Sequence, residues 1–262
     1  MKRLLEIIQA LLLRRGVYLA KSSSPDSLKS LLLAVWPFET EHKLVRIGPG
    51  HRADGGYLVP DDLDGIARVF SPGVSKTVGF EEWFLSKGIP CELLDGSISE
   101  PPSAHPLVNF EPLWLSSFSD SKNITLDEWV SQKSVIDEDL LIQMDIEGAE
   151  YEALLAASPK TLERFRIIVV EFHELRSAHS RMGLRLFRSV LAKLNESHLI
   201  VHTHPNNCCP ALRIGDTLWP DALEITFLRR DRVSVIGPMA QLPHPLDRDN
   251  TSRKHMRMIF PD

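Results

Sequence analysis

The sequence predicts an α/β domain built on a mostly parallel sheet, and two observations lead to this fold class. From about Ala67 onward, short apolar runs alternate with segments of helical periodicity. Two of these runs, "DLLIQM" and "FRIIVV", are apolar almost throughout, which is typical of strands buried on both faces of a parallel sheet. Such alternation favours strand–helix–strand units over an all-β or all-α arrangement.

Length and composition fit a soluble globular protein. The 262 residues suit one sizeable domain with extensions, and 43% are hydrophobic while 25% are charged. The net charge of −5 gives no basic surface for nucleic acid, so we expect no nucleic-acid partner. We divide the chain into a helical extension (1–43), a main domain (44–236) and a C-terminal tail (237–262) that is loose or bound to a partner.

The N-terminal segment "MKRLLEIIQALLLRR" predicts an amphipathic helix. Leu4, Ile7, Ile8 and Leu11 fall on one face, and basic residues flank the apolar run. The run is too short to span a bilayer and no cleavage site follows it promptly. Either the helix packs on the domain or on a second subunit in a homodimer, or it attaches weakly to an anionic membrane.

The three cysteines do not read as a disulfide framework. Cys91 stands alone, and Cys208 and Cys209 are adjacent, which is poor spacing for a zinc site. A reducing cytoplasm is the simplest location, with contact at the membrane surface as the alternative.

The first elements after the N-terminal helix are a second helix and a hairpin. Ser27 to Val35 has helical periodicity, and Asp54-Gly55 is a turn signal between strands at Leu44–Ile47 and Tyr57–Val59. The segment from Asp54 to Tyr57 is a hairpin turn or, alternatively, a lid over a bound cofactor, because its glycines permit close backbone approach.

The remaining elements alternate along the chain. The predicted strands are "ARVFSPG", "PCELLDGS", Leu107–Phe110, "DLLIQMD", "FRIIVVEFHE", "HLIVHTH" and "ALEITFLRR". The predicted helices are "KTVGFEEWFLSKG", "ITLDEWVSQK" with Thr125 as its cap, "IEGAEYEALLAAS" and "RMGLRLFRSVLAKLN".

Ligands of open α/β sheets bind at the carboxyl ends of the strands, so the residues there are the candidates for function. The first strand ends in "SPGVS", Ser71 to Ser75, where Gly73 permits a tight turn and close approach of a ligand. The segment is not a full GxGxxG. Asp95 follows Gly73 by 22 residues and ends the second strand, the spacing at which an acid commonly binds ribose hydroxyls. Alternatively, Asp95 is a turn residue before Gly96.

Two further strand ends carry acids and an imidazole. Asp145 ends the fourth strand, and Glu171 and His173 lie on one face at the end of the fifth. If these strands are neighbours, the three side chains converge and could bind a divalent metal or form an acid–base pair. The alternative is that Glu171 and His173 only satisfy each other and nearby backbone.

The acids after Asp145 have a simpler interpretation. Glu147 and Glu150 fall in the first turns of a predicted helix, where the helix dipole favours negative charge. Asp145 is therefore the better candidate for chemistry.

The sixth strand ends in a second polar group. His202 and His204 alternate onto one face and Asn206 and Asn207 follow in a loop. His204 is a candidate for substrate binding or proton transfer, and the asparagines could equally be turn formers.

At this point the sequence resembles a known family. The segments "MDIEGAEYEALL" and "IIVVEFHEL", with "ADGGYLVP", "ITLDEWV", "HTHPNNC" and "LEITFLRR" in the same order, resemble the FkbM-type S-adenosylmethionine-dependent methyltransferases. The resemblance covers roughly Val45 to Arg230, and "DIEGAEYE" and "EFHE" are its specific parts.

The resemblance implies a class I methyltransferase fold, a Rossmann-like three-layer sandwich with a seven-stranded, mostly parallel sheet. It implies methyl transfer from S-adenosylmethionine to an oxygen, often a hydroxyl of a sugar, glycan or secondary metabolite. Carried onto this chain, the Ser71–Gly73 turn would border the cofactor, Asp95 would hold its ribose, and the Ser116–Asp120 loop would lie near the adenine. Asp145 would stand where related enzymes place a catalytic or metal-binding acid.

The chemistry then needs a base or a metal, because a neutral hydroxyl is a weak nucleophile. We expect Asp145, Glu171 and His173 to form this centre, with or without a divalent metal, and His173 or His204 to act as base. Two other classes of protein remain open: a metal-dependent hydrolase using the same cluster, and a non-catalytic nucleotide-binding module that keeps Gly73 and Asp95.

Overall fold

The computed structural model describes residues 2–50, 54–214 and 217–253. The end of the predicted tail, 254–262, lies outside the described residues, as does the side chain of Leu4. The helices are α1 Lys2–Leu13, α2 Pro25–Ala34, α3 Glu81–Leu85, α4 Leu126–Lys133, α5 Glu150–Ala156, α6 Pro159–Leu162 and α7 Arg181–Ser197. The strands are β1 Phe38–Thr40, β2 Leu44–Ile47, β3 Tyr57–Pro60, β4 Ile66–Pro72, β5 Cys91–Leu94, β6 Val108–Glu111, β7 Trp114–Leu115, β8 Asn123–Ile124, β9 Asp139–Met144, β10 Phe165–Phe172, β11 His198–Asn206, β12 Leu212–Ile214, β13 Thr217–Trp219, β14 Ala222–Arg229 and β15 Val235–Pro238.

A seven-stranded sheet forms the centre of the molecule. Its strand order is β11-β14-β10-β9-β4-β5-β6, and β14 alone runs antiparallel to its neighbours within this sheet. The predicted seven-stranded, mostly parallel sheet is thereby confirmed. The chain winds from β4 outward to β5 and β6, then returns to β9 on the other side. The carboxyl ends of β4 and β9 therefore form the switch point at which α/β sheets bind ligands.

Both faces of the sheet are covered by apolar side chains. One core lies under α2, α4, α5 and α7, where Phe70 packs edge-on against Trp129 with 4.8 Å between ring centroids. The other lies under α3 and the β2–β3 hairpin and contains Phe80 and Phe84. Burying each such ring stabilises the fold by about 1.5–3 kcal/mol, which explains why β9 and β10 are apolar along nearly their whole length.

The hairpin prediction is confirmed, and the hairpin lies over the sheet. Strand β2 pairs antiparallel with β3, with Ile47 opposite Tyr57. The hydroxyl of Thr226 in β14 donates to the carbonyl of Leu58, at 2.7 Å, which ties β3 to the sheet. The hairpin thereby forms a wall above the carboxyl ends of the strands it crosses.

Two predicted helices are shorter than the sequence suggests. The segment after β9 turns through Glu147 and Gly148, at φ +55° and +108°, so α5 begins only at Glu150. The segment after β4 is helical only from Glu81 to Leu85. Left-handed backbone cannot continue a right-handed helix, so in the segment after β9 the apolar periodicity extends beyond the helix that forms.

Helix α1 is formed but does not pack on the domain. Ile7 and Leu11 are 54% and 57% exposed, so the predicted contact of this face with the domain is absent from the described residues. Among the described residues, no helix combines the length and the hydropathy required to cross a membrane.

The described part of the C-terminal tail is packed rather than loose. Asp247 accepts a hydrogen bond from His202 at 2.8 Å, and Asn250, only 4% exposed, donates to Glu224 at 2.7 Å. Strand β15, which crosses the predicted boundary between main domain and tail, pairs with β1 from the N-terminal extension. The segments on either side of the predicted main domain therefore meet on its surface.

Candidate functional site

The switch point is built on an unusually close approach of two chain segments. Gly73 has φ +89°, and a Cβ atom placed on it would lie 1.6 Å from the carbonyl oxygen of Asp145. The backbone N–H of Asp145 donates to the carbonyl of Pro72 at 3.3 Å. Glycine is therefore required here by the contact between the ends of β4 and β9, a reason that the sequence alone did not supply.

Ser71 lies one step inside the sheet rather than at its edge. Its hydroxyl is fully buried and contacts the carboxyl of Glu81 and, at 2.9 Å, the side-chain oxygen of Gln143. Burial raises the pKa of Glu81. In this structure Ser71 links buried polar groups beneath the Gly73 turn.

Asp95 joins the turn after β4 to the turn after β5. Its Oδ2 accepts from the backbone N–H of Ser75 at 2.7 Å, and its Oδ1 accepts from the N–H and hydroxyl of Ser97 at 2.8 and 2.6 Å. A carboxylate offers about four acceptor positions, so these three bonds leave capacity for a ribose hydroxyl. The same bonds hold the two turns together, as the turn interpretation of Asp95 expects.

A small cavity of about 40 Å³ lies between the switch point and the hairpin. Asp54 and Gly55 line it from the hairpin, and Gly73 and Asp145 line it from the sheet. Its volume suits a water molecule rather than a nucleoside. Asp54 and Gly55 of the hairpin thus lie against the predicted cofactor turn at Gly73. This position is compatible with a hairpin turn and with a lid over a cofactor.

Asp120 lies in an exposed turn. Its Oδ1 accepts from the backbone N–H groups of Lys122 and Asn123 at 2.8 and 2.9 Å, and from the Asn123 side chain at 2.8 Å. These bonds lower the pKa of Asp120. In this structure the side chain shapes the loop between β7 and β8.

His173 is the centre of a group of acids at the ends of β9 and β10. Its Nε2 lies 3.7 Å from Asp145 and 3.5 Å from Glu171, and its Nδ1 lies 3.0 Å from Glu150. Glu147 is also within 3.8 Å of Nε2. The predicted convergence of Asp145, Glu171 and His173 is therefore present, with two more carboxylates around the same imidazole.

Glu150 is the residue of this group that the sequence analysis assigned only to a helix start. Its side chain is fully buried, and its Oε1 accepts from the N–H groups of Ile146 and Gly148, each at 3.1 Å. The same oxygen lies 3.0 Å from Nδ1 of His173. Glu150 thus fixes both the turn after Asp145 and the orientation of the imidazole, while Glu147 precedes the helix and is exposed.

The charges of this group are unbalanced. Burial lowers the pKa of His173, but the hydrogen bonds to Glu150 and Glu171 outweigh it and raise the pKa overall. Burial and the nearby charge of Glu171 raise the pKa of Asp145. The raised pKa of His173 favours the protonated imidazole, which faces four carboxyl groups.

Three of these side chains are spaced as metal ligands. Asp145, Glu147 and His173 each offer one atom, and the three atoms lie within 4.8 Å of one another. Glu171, the third residue of the predicted centre, accepts from Asn206 at 2.6 Å and lies 3.5 Å from Nε2 of His173. Two carboxylates and one imidazole suit a divalent transition metal better than magnesium.

Backbone strain is concentrated at the same edge. Ser75, Glu147 and Glu174 have φ values of +47°, +55° and +54°, and they follow β4, β9 and β10 respectively. Left-handed backbone at residues other than glycine costs on the order of 1–3 kcal/mol and is found chiefly at functional sites.

A buried polar chain connects Glu171 to the interior. The hydroxyl of Tyr57 lies 3.5 Å from Oε2 of Glu171, and the side-chain N–H of Gln143 donates to that hydroxyl at 3.1 Å. Burial, followed by the charges of Glu171 and Asp145, raises the pKa of Tyr57. Neither Tyr57 nor Gln143 carries a sequence signal, because a tyrosine in a hairpin and a glutamine in an apolar strand both occur without any site.

His204 belongs to a neighbouring cluster. In the strand register Glu171 lies opposite Glu224, and Glu224 lies opposite His204, so His204 is two strands or roughly 10 Å from Glu171. Its Nδ1 is 3.4 Å from Asp247, and the side chain is 4% exposed. Burial lowers the pKa of His204, but Asp247 and Glu224 outweigh this and raise it. The structure therefore does not bring His204 together with Asp145.

A larger groove opens beside the acidic group. It has a volume of about 890 Å³ and lies between α5 and the start of α7. Gly148 and Glu174 form its end nearest His173, and Tyr151, Met182 and Leu186 form its apolar side.

The strand order of the central sheet is that of a Rossmann-like class I methyltransferase fold. Within that class, the model of the methyltransferase FkbM domain matches residues 101–198 of this chain. This match confirms the predicted resemblance to the S-adenosylmethionine-dependent FkbM methyltransferases. The matched segment contains Asp120, Asp145, Glu171 and His173.

Solved structures with related folds are similar only at low sequence identity. A fibrillarin/Nop5p complex aligns with 15% identity over 64% of this chain and 74% of that chain, with a TM-score of 0.39. The 1,6-didemethyltoxoflavin-N1-methyltransferase of Burkholderia thailandensis, solved with S-adenosylhomocysteine, aligns with 15% identity over 64% and 72% of the chains and a TM-score of 0.33. The N-methyltransferase NodS of Bradyrhizobium japonicum WM9 aligns with 12% identity over 63% and 78%, with a TM-score of 0.30. No curated protein sequence matches the chain.

Proposed function

We propose that the chain transfers a methyl group from S-adenosylmethionine to a hydroxyl oxygen of a small molecule, sugar or glycan. The observation that carries this proposal is the group of carboxylates around His173, located at the switch point of a methyltransferase fold. Transfer to oxygen, unlike transfer to a neutral amine, benefits from a group that removes or acidifies a proton at the acceptor. Asp145 and His173 are such groups.

The Gly73 turn and Asp95 are the proposed cofactor contacts. Gly73 permits close approach at the end of β4, and Asp95 keeps an acceptor position for a ribose hydroxyl beyond its three local bonds. Because the cavity at this turn is only about 40 Å³, cofactor binding requires the tip of the hairpin at Asp54 to move outward. Ser71 supports the turn from below, and Asp120 shapes the loop proposed to lie near the adenine.

In the proposed transfer, the acceptor oxygen attacks the methyl carbon of the sulfonium, and the carbon–sulfur bond breaks to leave S-adenosylhomocysteine. The chain must align the acceptor with that bond and take its proton. Asp145 is the proposed proton acceptor, because burial and the charge of Glu171 raise its pKa and make its carboxylate, once ionised, a stronger base than that of an ordinary aspartate. His204 is buried beside Asp247, two strands away from Glu171, so it is not assigned the proton transfer.

A divalent metal is the second version of the same function. Asp145, Glu147 and His173 would hold the ion. Glu171 would lie next to these ligands, and Glu150 would orient the imidazole. Such an ion would lower the pKa of a bound hydroxyl. Four carboxyl groups surround one imidazole, so a cation at this position would be stabilised. In this respect the residues present fit a divalent metal.

Calorimetry with S-adenosylmethionine and S-adenosylhomocysteine tests the core of the proposal. We expect both to bind the wild-type protein, and Asp95→Asn to weaken both, whereas Asp26→Asn, at an exposed aspartate in α2, serves as the control. If neither compound binds, the methyltransferase assignment is overturned and the metal-dependent hydrolase becomes the better candidate. Binding without any transfer to a panel of hydroxyl compounds would favour the non-catalytic module.

Chelation separates the two versions. We expect a metal-dependent enzyme to lose transfer after exhaustive chelation and regain it when the ion is restored. Unchanged transfer after complete metal removal would exclude the metal version and leave Asp145 as the base.

A further inference from the structure

The N-terminal helix and the segment after it expose apolar side chains that nothing in the described structure covers. Ile7, Leu11 and Leu13 are all more than half exposed, and Tyr18 is 72% exposed. We name the whole set the N-terminal apolar patch, which comprises Ile7, Ile8, Leu11, Leu13, Val17, Tyr18 and Leu19.

The segment after the helix folds back on it. The backbone N–H of Val17 donates to the carbonyl of Leu12 at 3.0 Å, and that of Leu19 donates to the side chain of Gln9 at 2.9 Å. The segment is attached to the domain further along, where Ser23 donates to the carbonyl of His179 at 2.6 Å. The helix is thus presented away from the sheet core.

An isolated helix of this length needs a surface to stabilise it. Helix α1 has 12 residues, and helices shorter than roughly 12–15 residues are marginal in water without packing. Its length of about 18 Å is less than the roughly 30 Å apolar thickness of a bilayer, so the helix can lie along a membrane but not cross it.

The charge around the patch identifies the surface that would cover it. Residues 1–21 contain five basic residues and one acid, a net charge of +4, whereas the whole chain carries −5. The remainder therefore carries −9. An anionic lipid surface attracts the N-terminal segment and repels the rest of the chain, which orients the protein with the patch toward the lipid. Tyr18, a member of the patch, is the kind of residue that anchors at the lipid–water boundary.

We propose that the N-terminal apolar patch docks the protein on an anionic lipid bilayer, with α1 lying in the plane of the interface. Apolar side chains enter the boundary between headgroups and acyl chains, and Arg14 and Arg15 contact the anionic headgroups. This docking is independent of cofactor binding and of the acidic group at His173.

Co-sedimentation with vesicles tests the proposal. The full chain is mixed with phosphatidylcholine vesicles and with vesicles that also contain phosphatidylserine, and bound protein is measured at low and at physiological salt. We expect clear binding to the anionic vesicles, weak binding to the neutral ones, and a decrease with salt. Equal binding to both lipids, or binding to neither, would overturn the anionic-lipid docking.

Two variant pairs test the patch, one by placing carboxylates on its apolar face and the other by removing its basic charge. Ile7→Asp with Leu11→Asp should abolish binding, whereas Ile236→Asp, an exposed apolar residue elsewhere at 69%, should leave it unchanged. Arg14→Gln with Arg15→Gln should weaken binding to anionic vesicles by roughly tenfold or more. Arg185→Gln, an exposed arginine on α7, is the matched control.

Analytical ultracentrifugation distinguishes the rival occupant of the patch. A dimer in solution that the Ile7→Asp and Leu11→Asp substitutions dissociate, together with no vesicle binding, would assign the patch to a second copy of the chain and contradict the lipid proposal. Thermal melting of the variants shows whether the domain remains folded. Retained S-adenosylhomocysteine binding in the same variants keeps this test separate from the proposed transferase activity.

Discussion

The two ends of strands β9 and β10 carry charged groups of opposite design. At the amino ends, Arg166 lies between Asp62 and Asp139, at 3.4 and 2.5 Å, and further arginines pair with the same acids. At the carboxyl ends, one imidazole faces four carboxyl groups. The same two strands thus begin in a balanced network and end in an unbalanced one.

The pKa directions follow this difference. Hydrogen bonds from Arg232 and the charge of Arg166 lower the pKa of Asp62, against its partial burial. At the other end of the strands, burial and the charge of Glu171 raise the pKa of Asp145. A balanced network stabilises the charged forms of its members, whereas an unbalanced one favours a proton or a cation from outside. The first has the character of a structural element and the second that of a site.

The largest expected effect separates the two ends of β9. Asp145→Asn should lower the rate of methyl transfer by roughly 10²–10⁴-fold, because it removes the proposed proton acceptor. S-adenosylhomocysteine release, with an accepted hydroxyl compound found by screening, measures the rate, and calorimetry should give cofactor affinity close to wild type. Asp139→Asn is the matched control, since it makes the same chemical change at the other end of the strand and should affect stability only. A fully active Asp145→Asn enzyme would remove Asp145 from the mechanism.

The next effect tests the balanced end. Arg166→Leu should lower the free energy of unfolding by about 3–5 kcal/mol, because it removes the buried cation that pairs with both Asp62 and Asp139. Denaturant titration measures the change. Cofactor binding per folded molecule should be unchanged. A near-neutral effect would show that Arg229 and Arg232 suffice for Asp139 and Asp62.

A pH effect of about 3 kcal/mol is expected from His198, also at the amino edge. Its Nε2 lies 2.7 Å from the carbonyl of Phe165, and burial lowers its pKa to about 4. Between the ordinary value of about 6.5 and this value, the unfolded chain binds a proton that the folded chain does not, so folding stability falls as the pH drops. His198→Gln should flatten this part of the stability profile between pH 6.5 and 4, measured by denaturant titration against wild type. An unchanged slope would assign the pH dependence to other groups.

The smallest effect isolates the contact at the switch point. Gly73→Ala and Gly88→Ala both place a side chain on left-handed backbone, at φ +89° and +78°, which costs about 1 kcal/mol in each case. Only at Gly73 does the new Cβ meet backbone, whereas nothing lies within 4 Å of the one at Gly88. The first variant should therefore lose at least about 2 kcal/mol more than the second and bind S-adenosylhomocysteine more weakly. Equal losses would show that the close approach to Asp145 is not required.

The sequence predicts the sheet because its buried strands are nearly continuous apolar runs. The runs before Asp145 and through Val170 can only be buried strands, and the acids at their ends were therefore expected to converge. Helix boundaries were less well predicted, since the residues after Asp145 have helical periodicity although Glu147 and Gly148 turn the other way.

Parts of the site depend on contacts between segments far apart in the chain. Tyr57 reaches Glu171 across 114 residues, and Gly73 matters because of the position of Asp145. The sequence predicts only a helix-dipole role for Glu150, because its position in the first turns of a predicted helix is sufficient to explain an acidic residue. Its burial beside His173 is visible only once β9 and β10 are adjacent.

The packed tail has a consequence for how this protein can be divided. Asn250 donates a hydrogen bond to the buried Glu224, and Asp247 accepts one from His202. Two buried polar side chains of the sheet therefore have hydrogen-bond partners beyond the predicted domain boundary at 236. A fragment ending at 236 would leave Glu224 buried without its amide donor and His202 without its carboxylate. The contacts of the tail with the domain extend to about residue 251, where the backbone N–H of Thr251 donates to the side chain of Asn207.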